Sequence, residues 1–275
     1  MNFKNIFLAM ALILTAAACA QRMNKTDYAK APQTKTETPS SGQDQNQNHD
    51  QEQVASKLSY IQQEAEIYKN RYKYNDVFSK VTDNRGDQYE NLYGTRNFRV
   101  VLHGVYYRGG ANNIFNRDGV RKNSNPLPNT GLDNLCKENF STSFYFYSTN
   151  YNTAPKVTNC RSRNNLNNEL NYKQVSVLQV SNYDSILSTV FSRIKGQLKG
   201  PIYGHCWNGW HASGLAASIM LKQFCGYSDS KALDYWIKNT DGDSNYDKVK
   251  KLVTGYKYQS KYQITADEAK AICPN

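Results

Sequence analysis

Residues 201–226 read PIYGHCWNGWHASGLAASIMLKQFCG. A short β-prone run ends at His205 and Cys206. About six loop residues follow, and Ser213–Gly214 open an apolar helix. Leu215, Ile219, Met220 and Phe224 fall on one helical face, and Gly226 is placed to stop it. A buried strand feeding a buried helix through a tight loop constrains the chain to an α/β fold, with this strand near the centre of the sheet. The same turn has chemical consequences. A strand–loop–helix junction points successive backbone N–H groups into one cup, and the helix N-terminus adds partial positive charge. A cysteine at the strand end lies under that cup, where the thiolate form is favoured.

The flanking sequence fits this frame. Val54, Leu58, Ile61, Ala65 and Tyr68 recur at helical spacing and predict an amphipathic helix within 53–80. NFRVVLHGVYYRGG predicts two strands around Gly104, STSFYFYS (141–148) a third, and YKQVSVLQVS (172–181) a fourth. A helix carrying Ile186, Leu187, Val190, Ile194 and Leu198 follows, with Asp184 or Ser181 as its N-cap. Past the loop, a helix begins near Ser228, and Thr265 with Glu268 forms a capping box for a last helix. Strands separated by helices predict a central, mostly parallel sheet flanked by helices. Residues 90–275 would form this domain, preceded by an N-terminal helical extension over 53–89. Most of the 21 tyrosines read as packing residues.

The first residues, MNFKNIFLAMALILTAAACA, carry one lysine, an apolar run from Ile6 to Leu14, and small residues ending at Cys19. This is a secretory signal over 1–18, too short to span a membrane. AAAC resembles a bacterial lipobox, in which Cys19 would take the lipid. Ala20 follows it, which favours an outer-membrane anchor facing the periplasm over inner-membrane retention. Residues 19–52 are rich in Gln, Asn, Thr, Ser and Pro and bury too little to fold, so they read as a disordered tether. In an oxidising compartment Cys136, Cys160, Cys225 and Cys273 can form two disulfides in any of three pairings. Cys136–Cys160 with Cys225–Cys273 is favoured, since each joins the flanks of one half of the domain. The net charge of +11 and mean hydropathy of −0.75 fit a polar, basic surface that attracts phosphorylated ligands or anionic membranes. No dense basic run or nucleic-acid module is present, so nucleic acid is not expected as a partner.

Here the sequence resembles the cysteine-dependent protein tyrosine and dual-specificity phosphatases, whose loop is His-Cys-x5-Arg-Ser/Thr-Gly. His205, Cys206, Gly209, Ser213 and Gly214 match. NFRVVLHGVYYRGG, NTGLDNLCKENFSTSFYFYS and GYSDSKALDYWIKN are similar to other segments of those enzymes, so the likeness covers roughly residues 90–240. It implies a phosphatase-like fold with Cys206 as nucleophile. The amides of Trp207, Asn208, Gly209, Trp210, His211, Ala212 and Ser213 would bind phosphate, and His205 and Gly214 would shape the loop. It needs no metal and no cofactor.

The departure is Ala212, which stands where the family has its arginine. That guanidinium grips two phosphate oxygens, and its loss is expected to cost ~10²–10⁴-fold in rate. His211, once protonated, could bring positive charge to the cup. Arg108 and Arg99 could reach in from upstream, or Arg108 could bridge beneath the loop. Trp207 and Trp210 either wall a ligand pocket or pack on neighbouring loops. A general acid is also needed, and Asp184, 22 residues before Cys206, is the only carboxylate between Leu170 and Cys206; capping is its plainer role.

Three readings follow. One is a lipid-anchored phosphatase-like protein that binds a phosphorylated small molecule or protein with weak or no hydrolysis. A second is an active phosphomonoester hydrolase using Cys206, Asp184 and His211. A third is a Cys–His hydrolase of another class, with His211 as base. Cys206 with His205, His211 and His103 makes a poor zinc set, lacking a second close pair. DGDSNYD (241–247) has the front of a calcium loop, but Tyr246 and Leu252 stand where Gly and Glu are needed, so it reads as a surface turn.

Overall fold

The computed structural model describes residues 58–115 and 126–275, which belong to one compact unit, Ala55–Asn275. The signal segment, the lipobox Cys19 and the tether lie outside the described residues.

Six strands form one sheet in the order β1-β2-β6-β3-β5-β4. These are β1 (Thr95–Leu102), β2 (Tyr106–Ala111), β3 (Thr142–Tyr145), β4 (Val157–Arg161), β5 (Asn167–Gln174) and β6 (Ile202–Cys206). β6 is central, parallel to β2 on one side and to β3 on the other, and β3 is parallel to β5. The sheet is nonetheless mixed, not mostly parallel: both outer pairings, β1 with β2 and β4 with β5, are antiparallel. The connections explain this. Residues 103–105 and 162–166 are tight turns, and a tight turn can join only antiparallel neighbours.

Helices cover both faces. Against one pack α3 (Tyr183–Ile194), α4 (His211–Cys225), α5 (Asp229–Lys238), α6 (Asp247–Gly255) and α7 (Ala266–Ile272). Against the other packs α2 (Asn129–Lys137) through Leu132, Leu135 and Cys136. α1 (Tyr60–Tyr72) serves both cores, with Ile61 and Ala65 in one and Tyr68 and Tyr72 in the other. The second core is an aromatic stack: Phe98 lies flat on Tyr203 at 5.2 Å and on Tyr107 at 5.4 Å, and Phe140 meets all three edge-on. Tyrosine here supplies ring area to the interior.

The local signals hold in detail. Ser228 caps α5 by accepting from the Lys231 N–H, Thr265 and Glu268 form the capping box of α7, and Gly226 ends α4 at φ +65°. The disulfides Cys136–Cys160 and Cys225–Cys273 are both formed, with Cα separations of 6.1 and 5.7 Å. Other expectations shift. β5 begins before the run proposed for it and stops at Gln174, because its partner β3 ends at Tyr145 and no ladder remains for the residues after it. α3 is entered through Asn182, so neither Ser181 nor Asp184 is its N-cap. β4 carries no pattern that marks it beforehand, and α6, with Val249, Leu252 and Val253 at helical spacing, is a helix not anticipated above.

Candidate functional site

β6 ends at Cys206 and α4 begins at His211, so the loop lies at the C-terminal edge of the central strand. Cys206 is buried at its base, and its Sγ lies 3.4 Å from the Ser213 hydroxyl. It is the free cysteine among the described residues.

The loop carbonyls are pulled outward one by one. The Ala111 N–H donates to the Trp207 carbonyl at 3.0 Å and the Asn97 side chain to that of Asn208 at 2.8 Å. The Arg108 guanidinium donates to the Gly209 carbonyl, and the Trp236 indole to that of His211 at 3.2 Å. In a trans peptide the C=O of one residue and the N–H of the next point opposite ways. Fixing the carbonyls of 207, 208, 209 and 211 outward therefore turns the N–H groups of Asn208, Gly209, Trp210 and Ala212 inward. Among the described residues no acceptor takes an N–H from Asn208 through Ser213. They are the unpaired backbone donors of the loop that joins the Cys206 strand end to the N-terminus of α4.

Close packing makes this possible. A Cβ on Gly110 would lie 2.5 Å from the Trp207 carbonyl oxygen and from the Asn208 carbonyl carbon. Gly209, at φ +81°, rests on the backbone of Gly109 and Gly110. Gly214 lets Trp236 come against α4, and a Cβ there would meet the indole at 3.0 Å.

The structure sorts the candidate residues. His205 is fully buried, stacked among Tyr145, Tyr172 and Tyr203. Its Nε2 meets the Tyr172 hydroxyl at 2.8 Å and its Nδ1 lies 3.1 Å from the Cys206 carbonyl oxygen. Burial pulls it down to about 3, so it stays neutral and holds the strand end. Arg108 lies under the loop, bonded to the Gly209 carbonyl and, at 3.4 Å, to that of Asn239, with its guanidinium over the Tyr235 ring. It is the bridge, and its Nη atoms do not face the cup. Arg99 is tied to the carbonyls of Phe78 and Asn97 and to Asp241; burial, then the neighbouring Arg108, pulls it down to about 9.

His211 does not face Cys206 either. Its Nε2 lies 2.7 Å from the Asp243 carbonyl oxygen, and its ring sits 3.9 Å from that of Tyr246. Asp184 is likewise engaged elsewhere: its carboxylate binds Lys261 and, at 2.8 Å, the Tyr262 hydroxyl, which hold it below the usual carboxylate range. Neither the acid nor the base expected from sequence is brought to the sulfur. Ala212 is buried in the first turn of α4 and leaves the loop without a cation of its own.

DGDSNYD is the exposed turn expected, and it also reaches the loop. Asp241 accepts from the Trp210 indole at 3.0 Å and pairs with Lys80 at 2.9 Å and Arg99 at 3.6 Å. Burial alone would raise its carboxyl, but Lys80, Arg99 and Trp210 outweigh this and hold it low. The segment buttresses the loop from outside through Trp210 and His211. Among the described residues no cluster of His, Cys, Asp and Glu is arranged to hold a metal.

No known protein family matches the chain. No curated protein matches it. Among solved structures, the chain is similar to the crystal structure of P. aeruginosa TpbA, at 18% identity over 57% of this chain and 86% of that one, with a TM-score of 0.38.

Proposed function

We propose that the domain binds a tetrahedral oxyanion, such as the phosphate of a monoester, in the loop 206–213, on the frame of the cysteine-dependent phosphatases and with little or no turnover. The observation that carries this is that four loop carbonyls beside a buried cysteine are bonded to neighbouring elements while the loop N–H groups take no acceptor among the described residues, which would turn those amides towards a bound anion. Such amides supply hydrogen-bond donors to a bound phosphate but place no full charge in the loop. Slow turnover follows from Ala212 and from the engagement of Asp184 with Lys261. A leaving alkoxide would find no guanidinium from the loop on its phosphate and no carboxylic acid beside it.

The retained Cys206, with a hydroxyl 3.4 Å away, supports the alternative of a working hydrolase. There the thiolate would attack phosphorus, the P–O bond to the alcohol would break, the alcohol would leave with a proton, and water would then cleave the cysteinyl phosphate. The third reading, a Cys–His pair, has no support in the placement of His205 or His211.

We further propose that the domain works in the bacterial cell envelope, held by lipid on Cys19. The leader-like first residues and the AAAC motif support this, as do two disulfides that suit an oxidising compartment.

The test is turnover of phosphotyrosine, phosphoserine, inositol phosphate and nucleotide substrates by wild type, Cys206→Ser and Ala212→Arg. The expected result is slow or absent hydrolysis by wild type and a gain of ~10²-fold or more in Ala212→Arg. Fast wild-type turnover abolished by Cys206→Ser would establish the hydrolase instead.

A further inference from the structure

We infer that Arg96 is the cation that meets the bound oxyanion, replacing from the neighbouring strand the arginine that the loop lacks. This rests on the oxyanion reading of the loop.

The sheet register sets the position. Arg96 of β1 pairs with Gly110 of β2, and Gly110 pairs with Cys206 of β6. Residues directly opposite one another on neighbouring strands point to the same face of a sheet. Arg96 and Cys206 therefore share a face, two strand spacings or about 10 Å apart at Cα. The residue between them is Gly110, and the backbone of Trp207–Gly209 packs directly over it, so Arg96 meets the loop from its β1 side. The next residue confirms how closely β1 abuts the loop, since the Asn97 side chain bonds the Asn208 carbonyl at 2.8 Å.

The surroundings of Arg96 are those of a cation awaiting an anion. Its side chain is 6% exposed, and its Nε is buried with no hydrogen-bond partner. Among the described residues it forms no ion pair. Its guanidinium carbon lies 5.6 Å from the centre of the Phe115 ring. A buried, unpaired guanidinium is costly unless a ligand completes it. Burial lowers its proton affinity, while Asp241, Asp83 and Cys206 oppose that loss. Asp241 is already held by Lys80, Arg99 and Trp210 and makes no ion pair with Arg96. The other two arginines of this sheet corner are committed, Arg99 to carbonyls and Asp241, Arg108 to the loop backbone. An arginine approaching from β1 enters at the side of the cup and not from the helix. It can therefore hold an anion without lying in line with the bond to be broken.

The test uses the full chain and tungstate as the probe, with affinities from calorimetry. Arg96→Met should lose about 10- to 100-fold in tungstate affinity, the effect of one charge-assisted hydrogen bond. Arg96→Lys should keep part of it, and Arg96→Met with Ala212→Arg should recover it. A second readout separates charge from folding. Iodoacetate is an anion and iodoacetamide is neutral, so the ratio of their alkylation rates at Cys206 reports positive charge at the sulfur. That ratio should exceed the value for a free cysteine peptide in wild type and fall in Arg96→Met. A merely structural role would change both rates together. If Arg96→Met does not fold, Arg96→Gln and the wild-type ratio decide. Unchanged affinity and ratio in a folded variant, or a wild-type ratio equal to that of the peptide, overturns the role of Arg96. Failure of wild type to bind tungstate at all would overturn the oxyanion site itself, a separate outcome.

Discussion

Replacing Gly110 by alanine adds a single methyl group, yet it is predicted to dismantle the anion cup. Gly110 lies on an ordinary strand backbone, so conformation is not the obstacle. Space is: the new Cβ would lie 2.5 Å from the Trp207 carbonyl oxygen and the Asn208 carbonyl carbon, and 2.7 Å from the Gly209 nitrogen. Ordinary contact begins near 3.4 Å. The loop must retreat by about 1 Å, and the atoms in the way are backbone, which cannot turn aside as a side chain would. Overpacking of this kind costs ~1–3 kcal/mol. For a domain of this size that lowers the melting temperature by ~2–12 °C. Binding should suffer more, because a displacement of ~1 Å in a positioned site can cost ~10²-fold. Gly226→Ala is the control. A Cβ there meets nothing within 4 Å, but φ is +65°, so the variant is strained far from the cup. It should lower stability by ~1 kcal/mol and leave tungstate affinity alone. Calorimetric titration and thermal melting of both variants check this. Wild-type tungstate affinity in Gly110→Ala would refute the packing argument.

Two further predictions concern stability. His205 and His103 are buried and pulled down by burial to about 3 and about 4, whereas in the unfolded chain they titrate near 6.5. Unfolding therefore takes up protons below pH 6.5, and stability present above that pH is lost as pH falls towards the folded values. The loss should reach about 3 kcal/mol per pH unit for the two groups together; urea midpoints at pH 7 and pH 5 measure it, and equal midpoints would contradict it. The disulfides close spans of 24 and 48 residues, and chain entropy assigns them ~3.5 and ~4 kcal/mol respectively. Cys225→Ser with Cys273→Ser should thus lower the melting temperature at least as far as Cys136→Ser with Cys160→Ser.

What was legible in the sequence was local. The β6–loop–α4 unit, the Ser228 and Thr265 caps, the Gly226 stop and the β1–β2 pair all rest on signals within a few residues. β4 was hidden because VTNCR is half-exposed at a sheet edge and shows no apolar alternation. The site was legible only in part, for the same reason. The strand–loop–helix turn declares the cup, but what surrounds it comes from afar. Asp241 and Asp243 reach Trp210 and His211 across more than thirty residues. Arg96 is placed by a register that shifts between Arg96 and Arg99, where Asn97 takes φ +50°. No spacing rule in the sequence foretells such a shift. Asp184 shows the converse error: as the only carboxylate between Leu170 and Cys206 it suggested a catalytic acid, while Lys261 and Tyr262 claim its carboxylate.

The central claim is that an oxyanion sits within the loop. A crystal of the protein grown with tungstate, with tungsten located by its anomalous signal, tests it most directly. The account predicts one ordered tungsten inside the loop, above the Cys206 sulfur, ringed by the N–H groups of Asn208 to Ser213, with the Arg96 guanidinium against it. A loop that stays empty, or whose amides turn outward while tungstate orders elsewhere, would contradict it.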